Sequence, residues 1–373
     1  MPLYAMDDEF LLNEAKNSGL FPASIPSSRL PESIDDVVKI LGHMLEGREY
    51  YPTVRDELCD VVDHMAGVDW LLFVAGSHHR THLFHQVRVG LIADWLLRTV
   101  LLRTVFEAKH SRTLRTALWC ASLLHDHAYP LACLTKQLPA MFPQGTSASG
   151  RHALEMFGWL RRCYAALFAP RLLDTFCKPA KDREGMAEQE KTRSVRLRKF
   201  ADAYLCRRAG LEADLIQRLC RPPEGHEADI YDHGLWSALN LAVRISYSSF
   251  PWDEADQAAL VPLRYILHSI AIHNRDDFAG SDFAVTRNPL AAALAIADEL
   301  QEWNRWEACR SSVAHMDCRV TVDVSANSGL HAEFDYEGTR LSEANSDTGW
   351  KNRVVGRLNG AEGVPKVTCS VKP

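Results

Sequence analysis

Ala117-Leu118-Trp119-Cys120-Ala121-Ser122-Leu123-Leu124-His125-Asp126-His127-Ala128-Tyr129-Pro130 is the stretch on which the fold turns. Leu114, Ala117, Leu118 and Leu124, with Ser122, recur at helical spacing, and an imidazole and a carboxylate then leave the end of that apolar stripe together. Such a pair is costly to bury unless it is hydrogen-bonded, charged against a partner or bound to a metal. The same periodicity continues on both sides. Upstream it runs through Val37, Val38, Ile40, Leu41 and Met44, then through Leu83, Val87, Leu91 and Trp95. Downstream it resumes over 211–219, 235–245, 258–272 and 290–306, with Pro222, Pro223, Pro251 and Pro289 as breaks. A mainly α body is predicted.

Past residue 312 the period changes from helical to alternating. Val320, Val322 and Val324 alternate with polar residues, Asn327-Ser328-Gly329 reads as a turn, and Leu330, Ala332, Phe334 and Tyr336 alternate again. Val367, Cys369 and Val371 add one more strand. Residues 313–373 are therefore expected as a small β-rich appendage, and 32–312 as one helical domain. Residues 1–31, broken by Pro22, Pro26 and Pro31, read as an N-terminal arm or an isolated first helix. Lys178 to Lys199 is rich in both charges and poor in apolar residues, an insertion expected as a solvated loop and helix or as a lid.

Composition narrows the class. The 373 residues are 47% hydrophobic and 24% charged, the balance of a folded globular chain. With 42 Lys+Arg against 48 Asp+Glu the net charge is -6, which gives no global basic field for duplex nucleic acid. The longest apolar run, 91–102, is interrupted by Asp94 and Arg98, so no membrane span is expected. Asp7, Asp8 and Glu9 stand where a secretory signal needs basic residues, and a cytoplasmic protein is expected. Ten cysteines without a Cys-x-x-Cys pair read as reduced thiols, such as Cys120, Cys163 and Cys206 in apolar helical patterns.

Among the 16 histidines, those placed at the ends or on the apolar faces of predicted helices are informative: His85, His125, His233 and His273, joined by Asp126 and Asp298. Any one of these histidines alone reads as a hydrogen-bonded core residue, and Asp298 alone as a helix-surface residue beside Glu302. As an ordered series they are the ligand set of a divalent transition metal (Mn, Fe, Ni, Co or Zn), with donors enough for one or two ions. His82 shares a helix face with His85, and either can be the first ligand, although the Gln-x-x-Val that follows favours His85. His82 is then expected to face substrate, His78 and His79 to be surface residues, and Arg80 to meet a substrate phosphate or simply solvent. Trp303 and Trp306 are expected in the core.

These motifs resemble the HD superfamily of metal-dependent phosphohydrolases over about 76–305. They are His85 in His-Gln-x-x-Val, His125-Asp126, His233 in Asp-His-Gly-Leu-Trp-Ser-Ala, His273 in Ala-Ile-His-Asn, and Asp298 in Ile-Ala-Asp-Glu-Leu-Gln-Glu-Trp. The resemblance implies an HD-type helical bundle in which His85, His125, Asp126 and Asp298 hold one metal. It implies that His233 and His273 hold a second ion bridged by Asp126, and that a metal-bridging hydroxide attacks a phosphate ester of a nucleotide or cyclic (oligo)nucleotide. The chain departs from the cyclic-dinucleotide branch known as HD-GYP: His127-Ala128-Tyr129 replaces the residues, including a lysine, that usually follow the His-Asp pair, and no Gly-Tyr-Pro occurs. His127 is expected either to protonate the leaving group or to face solvent. Two further readings accompany the first. One is a mononuclear dNTP or nucleotide phosphohydrolase. The other is a catalytically silent HD-fold ligand sensor acting through the C-terminal β unit. Each of the readings allows a homo-oligomer or a protein partner bound through that unit.

Overall fold

The computed structural model describes residues 3–19, 21–25, 28–31, 33–46, 52–75, 82–101, 111–129, 169, 172, 195–221, 232–248, 250, 252, 257–302, 317–325, 329–337 and 346–372. The chain is mainly helical with one small sheet. The helices are α1 (Asp8–Ser18), α2 (Ile34–Met44), α3 (Pro52–Ala75), α4 (His82–Leu96), α5 (Ser111–Leu124), α6 (Ala213–Leu219), α7 (His233–Tyr247), α8 (Gln257–Ile272) and α9 (Pro289–Leu300). Strands β1 (Leu3–Met6), β2 (Asp317–Ser325), β3 (Gly329–Glu337) and β4 (Val367–Lys372) form a sheet in that order. The first two pairings are antiparallel and the last is parallel.

Local chemistry starts the helices where sequence places the caps. Asp7 accepts from the backbone N–H of Phe10 at 2.7 Å, Ser33 from Asp36 at 3.1 Å, Asp232 from Leu235 at 3.2 Å and Asn288 from Leu290 at 3.0 Å. Pro289 occupies the first helical position of α9, where its missing N–H costs nothing. Helices α4, α5, α8 and α9 pack on one another as a bundle, and α7 lies against α8. The charges that interrupt 91–102 meet inside this bundle. Asp94 is fully buried and accepts from Arg98 at 2.8 Å and from Arg115 at 2.6 Å.

Both the N-terminal segment and the C-terminal sheet pack on the helical body. Residues 1–31, read as an arm or an isolated helix, supply a strand and a helix to the body. Strand β1 pairs with β2 in the register Tyr4↔Val322 and Met6↔Val320, and α1 packs on α4. The rings of Tyr4 and Phe10 sit 5.1 and 5.6 Å from Trp95. A four-residue strand is too short to declare itself by alternation, and its register is set by a partner more than three hundred residues away. The β-rich unit, in turn, shares its core with the helices: Val320, Val322, Phe334 and Val367 belong to the same buried cluster as Trp95 and Trp119. The insertion 178–199 falls outside the described residues up to 194. Arg80, His78, His79, Cys163, Trp303 and Trp306 lie outside them as well, as does the side chain of His82. No helix among the described residues is long and apolar enough to cross a membrane.

Helix α9 is seated by its cap. Asn288 donates to the carbonyl of Tyr265 at 3.2 Å and to the hydroxyl of Ser269 at 2.9 Å, and lies 3.1 Å from Nδ1 of His268 on α8. Burial, helped by nearby Arg287, pushes the His268 imidazole down to about 4. The unfolded chain, with an ordinary value of about 6.5, therefore takes the proton first, and stability is lost as pH falls from about 6.5 to 4. The expected loss is about 3 kcal/mol from this residue. Urea melts of wild type and His268→Gln across that range test it. The variant should show the shallower fall, and equal falls would contradict the assignment.

Candidate metal centre

The ends of five helices converge on one point. His85 comes from the first turns of α4, and His125 and Asp126 directly follow α5. His233 is the first residue of α7, His273 directly follows α8, and Asp298 lies in the last turn of α9. All six residues of the expected ligand series are thus brought together, and the central ones are sealed: His125 is 0% exposed and Asp126 2%.

Asp126 organises the group by facing two ways. Its Oδ2 lies 3.4 Å from Nε2 of His125 and 3.8 Å from Nε2 of His85. Its Oδ1 lies 3.2 Å from Nε2 of His233 and 3.5 Å from Nε2 of His273. Asp298 stands on the first side, with Oδ1 2.9 Å from Nε2 of His85 and 3.6 Å from Nε2 of His125. Two sets of three, His85 with His125 and Asp298, and His125 with Asp126 and His273, each bring one ligand atom per residue within 4.8 Å of the others.

The far nitrogens of the rings are tied to the protein, which turns Nε2 inward. Nδ1–H donates from His125 to the carbonyl of Ser122 and from His273 to the carbonyl of Ile270, both at 2.7 Å. Nδ1 of His85 is hydrogen-bonded to the Oε1 of Gln301, and the amide of Asn274 lies 3.3 Å from Nδ1 of His233. For His85, His125 and His273, whose Nδ1 meets an acceptor, this is the outer arrangement that orients metal-binding imidazoles and fixes their tautomer. Nε2 of His125 and of His273 are buried with no hydrogen bond, and both nitrogens point toward the centre. The buried His and Asp groups can hold a metal ion.

Electrostatics point the same way. Burial works against charge on His125, yet Asp126 and Asp298 overcome it and raise the imidazole to about 9. Burial would raise both carboxyls, and the surrounding imidazoles, His125 foremost, hold them well below the usual carboxylate range. The two carboxylates thus favour positive charge beside His125, while burial holds the His273 imidazole below its ordinary value, and a divalent cation is attracted by the same carboxylates.

His127 does not face solvent. It is 0% exposed, its Nδ1–H donates to the carbonyl of Leu124 at 2.7 Å, and its Nε2 accepts from Asn240 at 3.0 Å. Burial pushes the ring down to about 4, so it is neutral near pH 7. With both nitrogens engaged it braces the turn after α5. Ser237 on α7 accepts from the N–H of Ala128 at 3.0 Å and completes the support. Helix α7 can approach that closely because Gly234 has no side chain. A Cβ there would lie 2.7 Å from the carbonyl of Ile270 and 3.1 Å from Nδ1 of His273. Asp298, which alone read as a surface residue, is only 18% exposed, and Glu302 is buried at 3%.

Sequence reasoning missed Gln301, Asn240 and Ser237. Gln301 stands three residues past Asp298 and Asn240 and Ser237 line one face of α7, but hydrogen-bonding to a ligand or to a turn leaves no mark in a single sequence. The chain matches no family model, no curated protein and no solved structure.

Replacing Gln301 with Ala removes the acceptor for the His85 ring. Metal uptake at the His85 side should weaken about 10- to 100-fold. Titration of the apoprotein with Mn or Co measures this, and an unchanged affinity would show that Gln301 does not orient the ligand.

Proposed function

We propose that the chain is a divalent-metal-dependent phosphohydrolase of HD type, which hydrolyses a phosphate ester of a nucleotide or a cyclic (oligo)nucleotide. The observation that supports this most is the division of Asp126: one carboxylate oxygen lies toward His85 and His125, which Asp298 also approaches, and the other toward His233 and His273. A carboxylate shared between two imidazole sets suits a pair of ions. His85, His125, Asp126 and Asp298 would hold the first and Asp126, His233 and His273 the second. When bound, such ions polarise a phosphoryl oxygen and make water a competent nucleophile near neutral pH.

The remaining work belongs to the chain's own residues. The side chains of His233 and Asp298 are 20% and 18% exposed, whereas those of His125 and His273 are 0%, so a substrate reaches the centre from the His233 and Asp298 edge. Tyr129 borders that edge, its ring 5.3 Å from the ring of His233. The enclosed side excludes bulk water, which strengthens every charge interaction with a bound phosphate. Arg80 and His82, which precede His85 in the sequence, are the residues we assign to substrate. The wall made by His125, His127 and His273 keeps the ligand geometry rigid while the ester is positioned. Short phosphate esters fit this reading better than duplex nucleic acid, since the chain's net charge is -6.

The test is hydrolysis of bis(p-nitrophenyl) phosphate, cyclic dinucleotides and nucleoside triphosphates by Mn-loaded wild type and Asp126→Asn. Wild type should turn over at least one class, and the variant should lose about 100-fold or more of that rate. Turnover of a nucleoside triphosphate with one ion per chain would favour the mononuclear nucleotidase. No turnover by fully loaded protein would overturn the enzyme in favour of the sensor.

A further inference from the structure

The C-terminal segment, outside the helical body in which the ligands lie, reaches the metal centre through one buried cation. After β3 the chain forms a helical stretch of Asp347–Trp350, Lys351–Val355 and Gly356–Leu358. Arg357 on this stretch is 3% exposed, and its Nη2 donates to the carbonyls of Ile272 at 3.1 Å and His273 at 2.8 Å. These carbonyls close helix α8, whose last turn leaves carbonyls that its own backbone does not satisfy. A guanidinium is suited to them by charge as well as by hydrogen bonding. His273 is the residue at that helix end, and its imidazole is the most enclosed of the second ligand set.

Burying a guanidinium among carbonyls, without a carboxylate within ion-pair distance among the described residues, is expensive unless the position is put to use. Its surroundings are built to hold it. The ring of Phe283 lies 5.0 Å under the guanidinium. One turn earlier, Arg353 pairs with Glu299 at 3.2 Å, so the same stretch also grips α9 beside Asp298. Arg353 lies 4.5 Å over Trp350, and Trp350 stacks on Phe334 of β3 at 3.9 Å and 10°. Farther on, the carbonyl of Glu362 accepts from the N–H of Val285 at 2.8 Å in the loop that leads into α9. The sheet, the stretch and the two helix ends thus form one continuous packed path.

We propose that Arg357 is a positioning residue for the metal centre: by fixing the carbonyls of Ile272 and His273 it sets where the His273 imidazole stands, and the C-terminal β unit is thereby part of the second metal site. This rests on the two-ion reading given above. Arg357 touches neither substrate nor ion and acts through His273.

Binding of Co or Mn by wild type, Arg357→Met, Arg357→Lys and the exposed-residue control Lys351→Ala tests it, with hydrogen exchange of 346–358 followed alongside. Arg357→Met should lose the second ion, its affinity falling about 10- to 100-fold, while the first changes little. Arg357→Lys should recover part of that loss, and Lys351→Ala should match wild type. Reciprocally, loading the second ion in wild type should slow exchange in 346–358. If Arg357→Met does not fold, the wild-type exchange result decides. Two ions bound with unchanged affinity in Arg357→Met, or no change in exchange on loading, would overturn the inference. A wild type that takes up no ion would instead overturn the two-ion reading itself.

Discussion

The constraint on which the structure depends is the burial of the Asp126 carboxylate at the end of an apolar helix. An ionised carboxylate in that position demands opposite charge or strong donors on every side. Four imidazoles answer the demand, and each must be carried there by a different helix end. The packing of α4, α5, α7 and α8 around one point, with α9 bringing a second carboxylate, is the consequence. Details that look local follow from it: a glycine at 234 where two helix ends touch, carbonyls of Ser122 and Ile270 that hold the far side of a ring, and a neutral His127 that braces the turn. A stable fold and a cation site are two descriptions of the same set of helix ends.

Much of this was legible in the residues. Helical periodicity with proline breaks located the ligand-bearing helices, because burial of an apolar stripe is a local property of the sequence. The series His85, His125-Asp126, His233, His273 and Asp298 was legible because each member sits where such a stripe ends, and all six meet in space. The hairpin of β2 and β3 was legible from alternation around a turn. What stayed hidden depends on partners far along the chain. Strand β1 exists because β2 presents an edge. Gln301 matters because His85 needs an acceptor. His127 reads like a reactive neighbour of the His-Asp pair until Asn240, more than a hundred residues away, is seen to occupy its second nitrogen. Arg357 lies in a stretch with no motif at all, and its meaning comes from two carbonyls of another helix.

The small C-terminal sheet stands where the change of period after 312 places it. Its alternating apolar residues must be covered, and they share a buried cluster with the helical body, while the chain's first strand pairs with its edge. The resulting continuity of packing connects the C-terminal unit mechanically to the helix ends that carry the His and Asp group.

The division of Asp126 between two ion sites is the central claim, and electron paramagnetic resonance of the Mn-loaded protein tests it most directly. Two ions joined by one carboxylate interact magnetically, so the account predicts the closely spaced hyperfine pattern of a coupled pair at full loading, replaced in Asp126→Asn by the pattern of isolated Mn. An isolated-ion spectrum in the fully loaded wild type would contradict it.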